Sequence, residues 1–219
     1  MQNYTEFEKK IGYSFNDKKL LLCALTHTSY ANEHGTDSFE RLEFLGDSIL
    51  GFIVAENLFD LHQEKDEGFL SKMRAAIVCE NSLSDIARKL EIPTYIRLGV
   101  GEEKNCGREK NSIISDVVEA LIAAIYKDGG FVQAEKFVNR IISKQKYTDG
   151  VVKDFKTQLQ ETYKHADVSY ITTPYLNDNV DMFKSTVLID GTVCGGGVGV
   201  SKKSAEQNAA KQALENKQR

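Results

Sequence analysis

The chain has 219 residues, of which 41% are hydrophobic and 27% charged, a balance that excludes wholesale disorder and leaves room for one large or two small domains. It contains no apolar run of the roughly 18 residues a membrane-spanning helix needs, and its polar, mixed-charge start, MQNYTEFEKK, lacks the apolar segment of a secretory signal. Net charge is −4, unevenly spread: residues 152–219 carry nine Lys/Arg against eight Asp/Glu, so the acidic excess lies in residues 1–151. Cys23, Cys79, Cys106 and Cys194 are scattered without a CxxC pair, which fits reduced thiols better than a disulfide framework or zinc site. A cytoplasmic location is the expectation.

Taken in chain order, the first part reads as a succession of helices. Apolar spacing predicts one over Phe15–Thr26, a long apolar one over Glu40–Leu61, and another running through Gly68–Leu90 until Pro93 breaks the pattern. The Gly- and charge-rich stretch GVGEEKNCGREKNS reads as an exposed loop. Ser112 is placed to cap a helix over Ile113–Lys127, Gly129–Gly130 to stop it, and Phe131–Lys144 to form the next. KYTDGVVK at 146–153 has the composition of a polar linker, giving a helical domain over 1–146, a linker over 147–153 and a second domain over 154–219. The second domain begins with a helix over Asp154–Lys164. Alternating stretches at Val168–Pro174, Met182–Ile189 and Thr192–Val200 then predict strands, separated by turn signals at LNDN (176–179) and Asp190–Gly191. A final Ala-rich helix runs from Ser201 to about Lys217. The fold class is therefore an all-α domain followed by a small α+β domain of order α-β-β-β-α, with a three-stranded antiparallel sheet.

The stretch ERLEFLGDSIL at 40–50 places Glu40, Glu43 and Asp47 close together on one face of a helix whose other faces are apolar. SIISDVVEALIAAIY repeats the device with Asp116 and Glu119. Buried charges persist when they are paired or bound to metal. Only Arg41 flanks the first stripe, and no Lys or Arg lies between Lys110 and Lys127 in the second. An all-oxygen donor set without His or Cys suits Mg²⁺, with Mn²⁺ also possible. Isolated helix-surface acids are the bland alternative, which five acids on two otherwise apolar helices disfavour. Gly46, beside Asp47, weakens a helix, and its use is expected to be the close approach of another backbone. Glu67, in DEGFLSKMRAAIV, reads from its position alone as a helix-start carboxylate. His27, His34, His62 and His165 are dispersed, and no Ser–His–Asp or Cys–His arrangement competes.

These stretches together resemble bacterial ribonuclease III. ERLEFLGDSIL is similar to that family's signature. THTSYANE (26–33), DEGFLSKMRAAIV (66–78) and SDVVEALIAAIYKDGG (115–130) resemble its neighbouring blocks. DFKTQLQE (154–161) and SKKSAEQNAA (201–210) resemble the double-stranded-RNA-binding domain that follows it. The resemblance covers nearly the whole chain. It implies that Glu43, Asp47, Asp116 and Glu119 hold the catalytic divalent metal, with Asp47 and Glu119 carrying the chemistry. Glu40 and Glu67 would line the same cleft in a supporting role. It also implies a homodimer in which Phe44 enters the partner subunit, although by its own pattern Phe44 is only core-like. In the second domain, Thr157, Gln160 and Glu161 match positions that reach the RNA minor groove. Ser201, Lys202 and Lys203 match a phosphate-contacting helix start. The lysine pair stands there against the helix dipole, which an RNA phosphate would reconcile. GGGVG at 195–199 lacks the spacing of a nucleotide loop and is expected to ease a strand end.

The implied function is a metal-dependent endoribonuclease that hydrolyses double-stranded RNA to 5′-phosphate and 3′-hydroxyl ends, acting on ribosomal-RNA precursors and messenger RNA. The alternative is a non-catalytic, dimeric double-stranded-RNA-binding protein. One departure from the family pattern stands out. The segment YLNDNVDMF (175–183), expected as the RNA-facing loop, carries Asp178 and Asp181 where a Gly-Pro-His type of loop is usual, predicting weaker contact there.

Overall fold

The computed structural model describes residues 4–142, 147, 155–177 and 180–217. The chain divides into two compact units, Met1–Val152 and Lys153–Arg219.

The first unit is helical: α1 (Tyr4–Ile11), α2 (Lys18–Ala24), α3 (Thr28–His34), α4 (Glu40–Leu61), α5 (Glu67–Val78), α6 (Glu80–Lys89), α7 (Val100–Lys104), α8 (Asn111–Gly129) and α9 (Phe131–Ile141). α8 is the axis of the core. Val117, Val118, Leu121, Ile122, Ala124 and Ile125 are fully enclosed, and α4 lies along it, contributing Leu50, Ile53 and Val54. The α4–α8 crossing depends on Gly46. A Cβ built there would sit 1.8 Å from the backbone oxygen of Glu119, so any larger residue would force the two helices apart.

Several boundaries differ from the sequence expectation, each for a local reason. The helix expected over Phe15–Thr26 is shorter because the Asp17 side chain accepts a hydrogen bond from the Lys19 backbone N–H at 2.9 Å and so starts it. The run Gly68–Leu90 is two helices, broken where Cys79 turns extended (φ −66°, ψ 154°). The stretch expected as a loop, 99–112, contains α7 and a 3₁₀ turn at Gly107–Glu109. α8 begins at Asn111, so Ser112 lies inside it, and no side chain caps its start. α1 and α3 were not anticipated; each is under three turns, too short for apolar periodicity to register. Pro93 sits in a 3₁₀ turn, Ile92–Tyr95, which ends the second of the paired helices as expected.

The second unit runs α10 (Phe155–Thr162), β1 (Val168–Asn177), β2 (Val180–Ile189), β3 (Thr192–Gly199) and α11 (Lys202–Lys217). The sheet is antiparallel in the order β1-β2-β3. Leu159, Val187, Ile189, Ala209, Ala210 and Ala213 form its small core. Asp190 (φ 49°) and Gly191 (φ 77°) make the tight β2–β3 turn that two left-handed residues permit. Of the expected LNDN turn, Leu176 and Asn177 are strand residues, pairing with Asp181 and Val180, and the connection between the strands falls at 178–179, outside the described residues. Asp181 therefore belongs to β2 rather than to a loop, and Asp178 lies outside the described residues. The glycines of β3 also act differently from expectation. Gly195, Gly197 and Gly199 lie under α11, where an added Cβ would meet the Ala205 and Ala209 backbone within 2.6 Å. Alternate glycines let an alanine-faced helix lie almost directly on the strand.

Candidate active site

Gly46 brings the two acidic stripes together. Because the α4 backbone touches the α8 backbone at Glu119, the side chains one turn to either side project into a common space. Glu43, Asp116 and Glu119 offer carboxylate oxygens that all lie within 4.8 Å of one another. Each of the three is half-buried. Asp47, one turn beyond Glu43 on the same face, is exposed and stands outside this tight group, but its charge reaches both Glu119 and Glu43.

The electrostatics follow from burial and like charge. Burial, then Asp47, Asp116 and Glu43, push the Glu119 carboxyl up to about 8. Glu43 is raised by burial first and by Asp116, Glu40 and Asp47 after it. Asp116 is also raised, chiefly by burial and further by Glu80, against the Ser115 hydroxyl and the His27 imidazole, which pull it down. The Ser115 hydroxyl, 3.3 Å from Asp116 Oδ1, is the sole side-chain donor to these four acids among the described residues. Three carboxylates so close, with Asp47 beside them and so few donors, remain a cost that a hard divalent cation would remove. The donor set therefore fits Mg²⁺ or Mn²⁺.

The remaining predicted residues are placed as follows. Glu40 opens α4, accepts from the Ser38 hydroxyl at 3.1 Å and adds charge to Glu43. Glu67 opens α5 and accepts from the Ser71 hydroxyl at 2.6 Å. Within one chain it takes no part in the carboxylate group. It rims a separate cavity of about 360 Å³ whose wall includes Phe52, Leu58, Phe59, Leu70 and Arg74. Phe44 is 79% exposed, with Phe52 and Phe59 also open on α4, so it is not a core residue of the single chain. The apolar character of α4 all round thus has two causes: one side packs on α8, and the other carries an open aromatic stripe.

Two neighbours of the site were missed. Glu80 influences Asp116 but was hidden by the continuous helix expected over Gly68–Leu90; it opens α6 at the unforeseen break. His27 caps α3, its Nδ1 accepting from the Ser29 backbone N–H at 3.2 Å, a structural task that also sets its ring near Asp116.

In the second unit, Thr157 is half-buried on α10, whereas Gln160 and Glu161 are exposed near its end. The Ser201 hydroxyl accepts from the Ser204 backbone N–H at 3.1 Å, capping α11. Lys202 and Lys203 are exposed in the first turn, with Lys202 Nζ 6.0 Å from the Phe183 ring centroid. Lys211, further along, is paired with Glu215 at 3.7 Å.

Known proteins share this arrangement. Residues 17–146 match the ribonuclease-III-like family and residues 155–217 the double-stranded RNA binding motif. Ribonuclease 3 of Clostridium tetani is 46% identical over 96% of this chain and 93% of its own, and that of Clostridium perfringens 43% identical over 97% and 93%. The crystal structure of the nuclease domain of ribonuclease III from Campylobacter jejuni superposes with a TM-score of 0.62 at 44% identity, covering 66% of this chain and 97% of that one. A second structure of that Campylobacter domain is described by flexibility in its region of dimer formation. With an acidic α4–α8 crossing in one unit and an α-β-β-β-α unit after it, the chain belongs to the ribonuclease III family of endoribonucleases that act on double-stranded RNA.

Proposed function

We propose that Glu43, Asp116 and Glu119, with Asp47 beside them, hold one or more divalent cations, Mg²⁺ or Mn²⁺, and hydrolyse the phosphodiester backbone of duplex RNA. One observation carries this reading: three carboxylates within 4.8 Å, one of them pushed up to about 8, with almost no donor of their own. A bound cation would supply water activation and neutralisation of charge building on the phosphoryl group. Glu119 must give up its proton to act as a ligand, and burial and the neighbouring carboxylates hold that proton up to about 8, so metal binding strengthens as pH rises toward that value. Asp47, exposed at the mouth of the group, is where solvent and the scissile phosphate arrive. Water oxygen attacks phosphorus, the bond to the 3′-oxygen breaks, and the products carry a 5′-phosphate and a 3′-hydroxyl. Glu40 and Glu67 support the site, Glu40 through its charge on Glu43.

A homodimer completes the reading. The open aromatic stripe on α4 and the apolar cavity between α4 and α5 support an isologous contact in which Phe44 of one protomer enters the cavity of its partner. Two sites would then face the two strands of one duplex. RNA is held by the second unit, with Thr157, Gln160 and Glu161 against the minor groove and Lys202 and Lys203, at the Ser201-capped start of α11, against phosphate. Ribosomal-RNA precursors and messenger RNAs in the cytoplasm are the proposed substrates.

The test is a duplex-RNA cleavage assay in Mg²⁺, in Ca²⁺ and in EDTA, with end-group analysis of the products. Cleavage in Mg²⁺ that stops in EDTA supports the proposal; cleavage that persists in EDTA overturns the metal assignment.

A further inference from the structure

A second polar cavity of the first unit shares no residue with the acidic cluster. Its volume is about 540 Å³, within the range of small-ligand sites. Tyr4, Tyr30, Arg97 and Arg108 line it above an apolar floor that includes Leu22 and Ile96, and no carboxylate lines it. Arg97 is the unusual member. Its guanidinium lies 4.2 Å from the Tyr30 ring centroid, and the opposite face of that ring stacks on His34 at 3.8 Å. Nη1 donates to the Thr26 hydroxyl at 3.1 Å. The backbone is pinned on both sides, Arg97 N–H donating to the Leu25 oxygen at 2.7 Å and its carbonyl accepting from His27 N–H at 3.1 Å. No Asp or Glu pairs with Arg97 among the described residues. Arg108, by contrast, is committed: it pairs with Glu103 at 2.7 Å and donates to the carbonyls of Pro93 and Ile96.

Among the described residues the Arg97 guanidinium makes one side-chain hydrogen bond and has no carboxylate partner, which leaves donors for a ligand in the cavity it lines. Its planar fork fits the oxygens of a phosphate in a two-point contact. We propose that this cavity is an oxyanion site, in which a phosphate group is held by the Arg97 fork, while Arg108, paired with Glu103, only lines the wall. The phosphate comes either from a free oligophosphate or from the backbone of bound RNA, and both present the same chemistry to Arg97.

The experiment uses the full chain, free of metal so that pyrophosphate is not sequestered. Calorimetric titration with pyrophosphate is compared for wild type, Arg97→Gln and Arg97→Lys. In parallel, duplex-RNA affinity is measured across a series of salt concentrations. Pyrophosphate binding that weakens about tenfold or more in Arg97→Gln, with Arg97→Lys in between, supports a free oligophosphate. Unchanged pyrophosphate titration together with a salt slope reduced by about one unit in Arg97→Gln supports an RNA phosphate. If neither the titration nor the slope responds to Arg97, the site does not exist. Should Arg97→Gln fail to fold by circular dichroism, Arg97→Lys retains the charge and the ring contact, and the same comparison stands on it alone.

Discussion

The first unit holds acids in two settings, and they differ in what surrounds them. Asp128, near the end of α8, receives the Tyr13 hydroxyl at 2.7 Å, Asn16 N–H at 2.9 Å and Asp17 N–H at 2.8 Å. Burial pushes its carboxyl up, but these donors outweigh it and leave it below the usual aspartate value. Glu8, only 4% exposed, takes the Phe15 backbone N–H at 2.6 Å and an ion pair with Lys18. These two acids tie α1, the segment ahead of α2 and α8 together. Two to four turns back along the same α8, Asp116 and Glu119 face other carboxylates and have one weak donor between them. The acids that tie the fold together are surrounded by donors, whereas Asp116 and Glu119 are left almost without them and are raised. Burial raises Asp128 as well as Glu119, and the surrounding donors or carboxylates decide which way the balance falls.

Substitution should break the two settings in opposite ways. The largest effect is expected from Glu119→Gln, which should lower duplex-RNA cleavage by about a thousandfold or more while leaving RNA affinity and the fold intact; gel-based cleavage and binding assays report the split. Gly46→Ala attacks the crossing itself. The methyl group would collide with the Glu119 backbone, and a loss of roughly 2–3 kcal/mol in urea unfolding is expected, together with cleavage. Asp128→Asn should cost about 1–2 kcal/mol in the same unfolding experiment yet leave cleavage per folded molecule within about twofold.

Titration sharpens the contrast further. Between the ordinary glutamate value of 4.5 and about 8, folded Glu119 keeps a proton that the unfolded chain has released. Its contribution to the stability of the metal-free protein is therefore present at low pH and is lost as pH rises through that window. Glu119→Gln should accordingly raise metal-free stability by about 1 kcal/mol at pH 8 and by little at pH 5, as thermal melts at the two pH values would reveal. Asp128 has the opposite sign. Its depressed carboxyl stabilises the fold above the ordinary value of 3.8, and that contribution is lost as pH falls through its folded value. The smallest effect is expected from Asp181→Asn. Because Asp181 is held in β2 opposite Leu176, removing its charge should strengthen duplex-RNA binding by about twofold at most, read from a titration at low salt.

Much of this molecule was legible from local pattern. The bounds Glu40–Leu61 of the central helix, the three strands, the Asp190–Gly191 turn and the Ser201 cap are encoded within a few residues of where they occur, by periodicity, turn chemistry and capping. The acids were legible too, since carboxylates on otherwise apolar helices are conspicuous in one dimension. Sequence alone also marked Gly46 as a point of close approach. What it did not contain was the identity of the backbone that approaches. Only the α4–α8 crossing decided that this backbone is Glu119 and that Glu43, Asp116 and Glu119 converge while Asp47 stays at the edge, and the placement of α6 and of the residue ahead of α3 made Glu80 and His27 neighbours of Asp116. The crossing likewise turned Phe44 outward, and the fit of α11 onto β3 gave the glycines of 195–199 their purpose. Local pattern fixes which residues share a face of one element. Which faces then meet is set by long-range packing, where shape and excluded volume act between residues tens of positions apart.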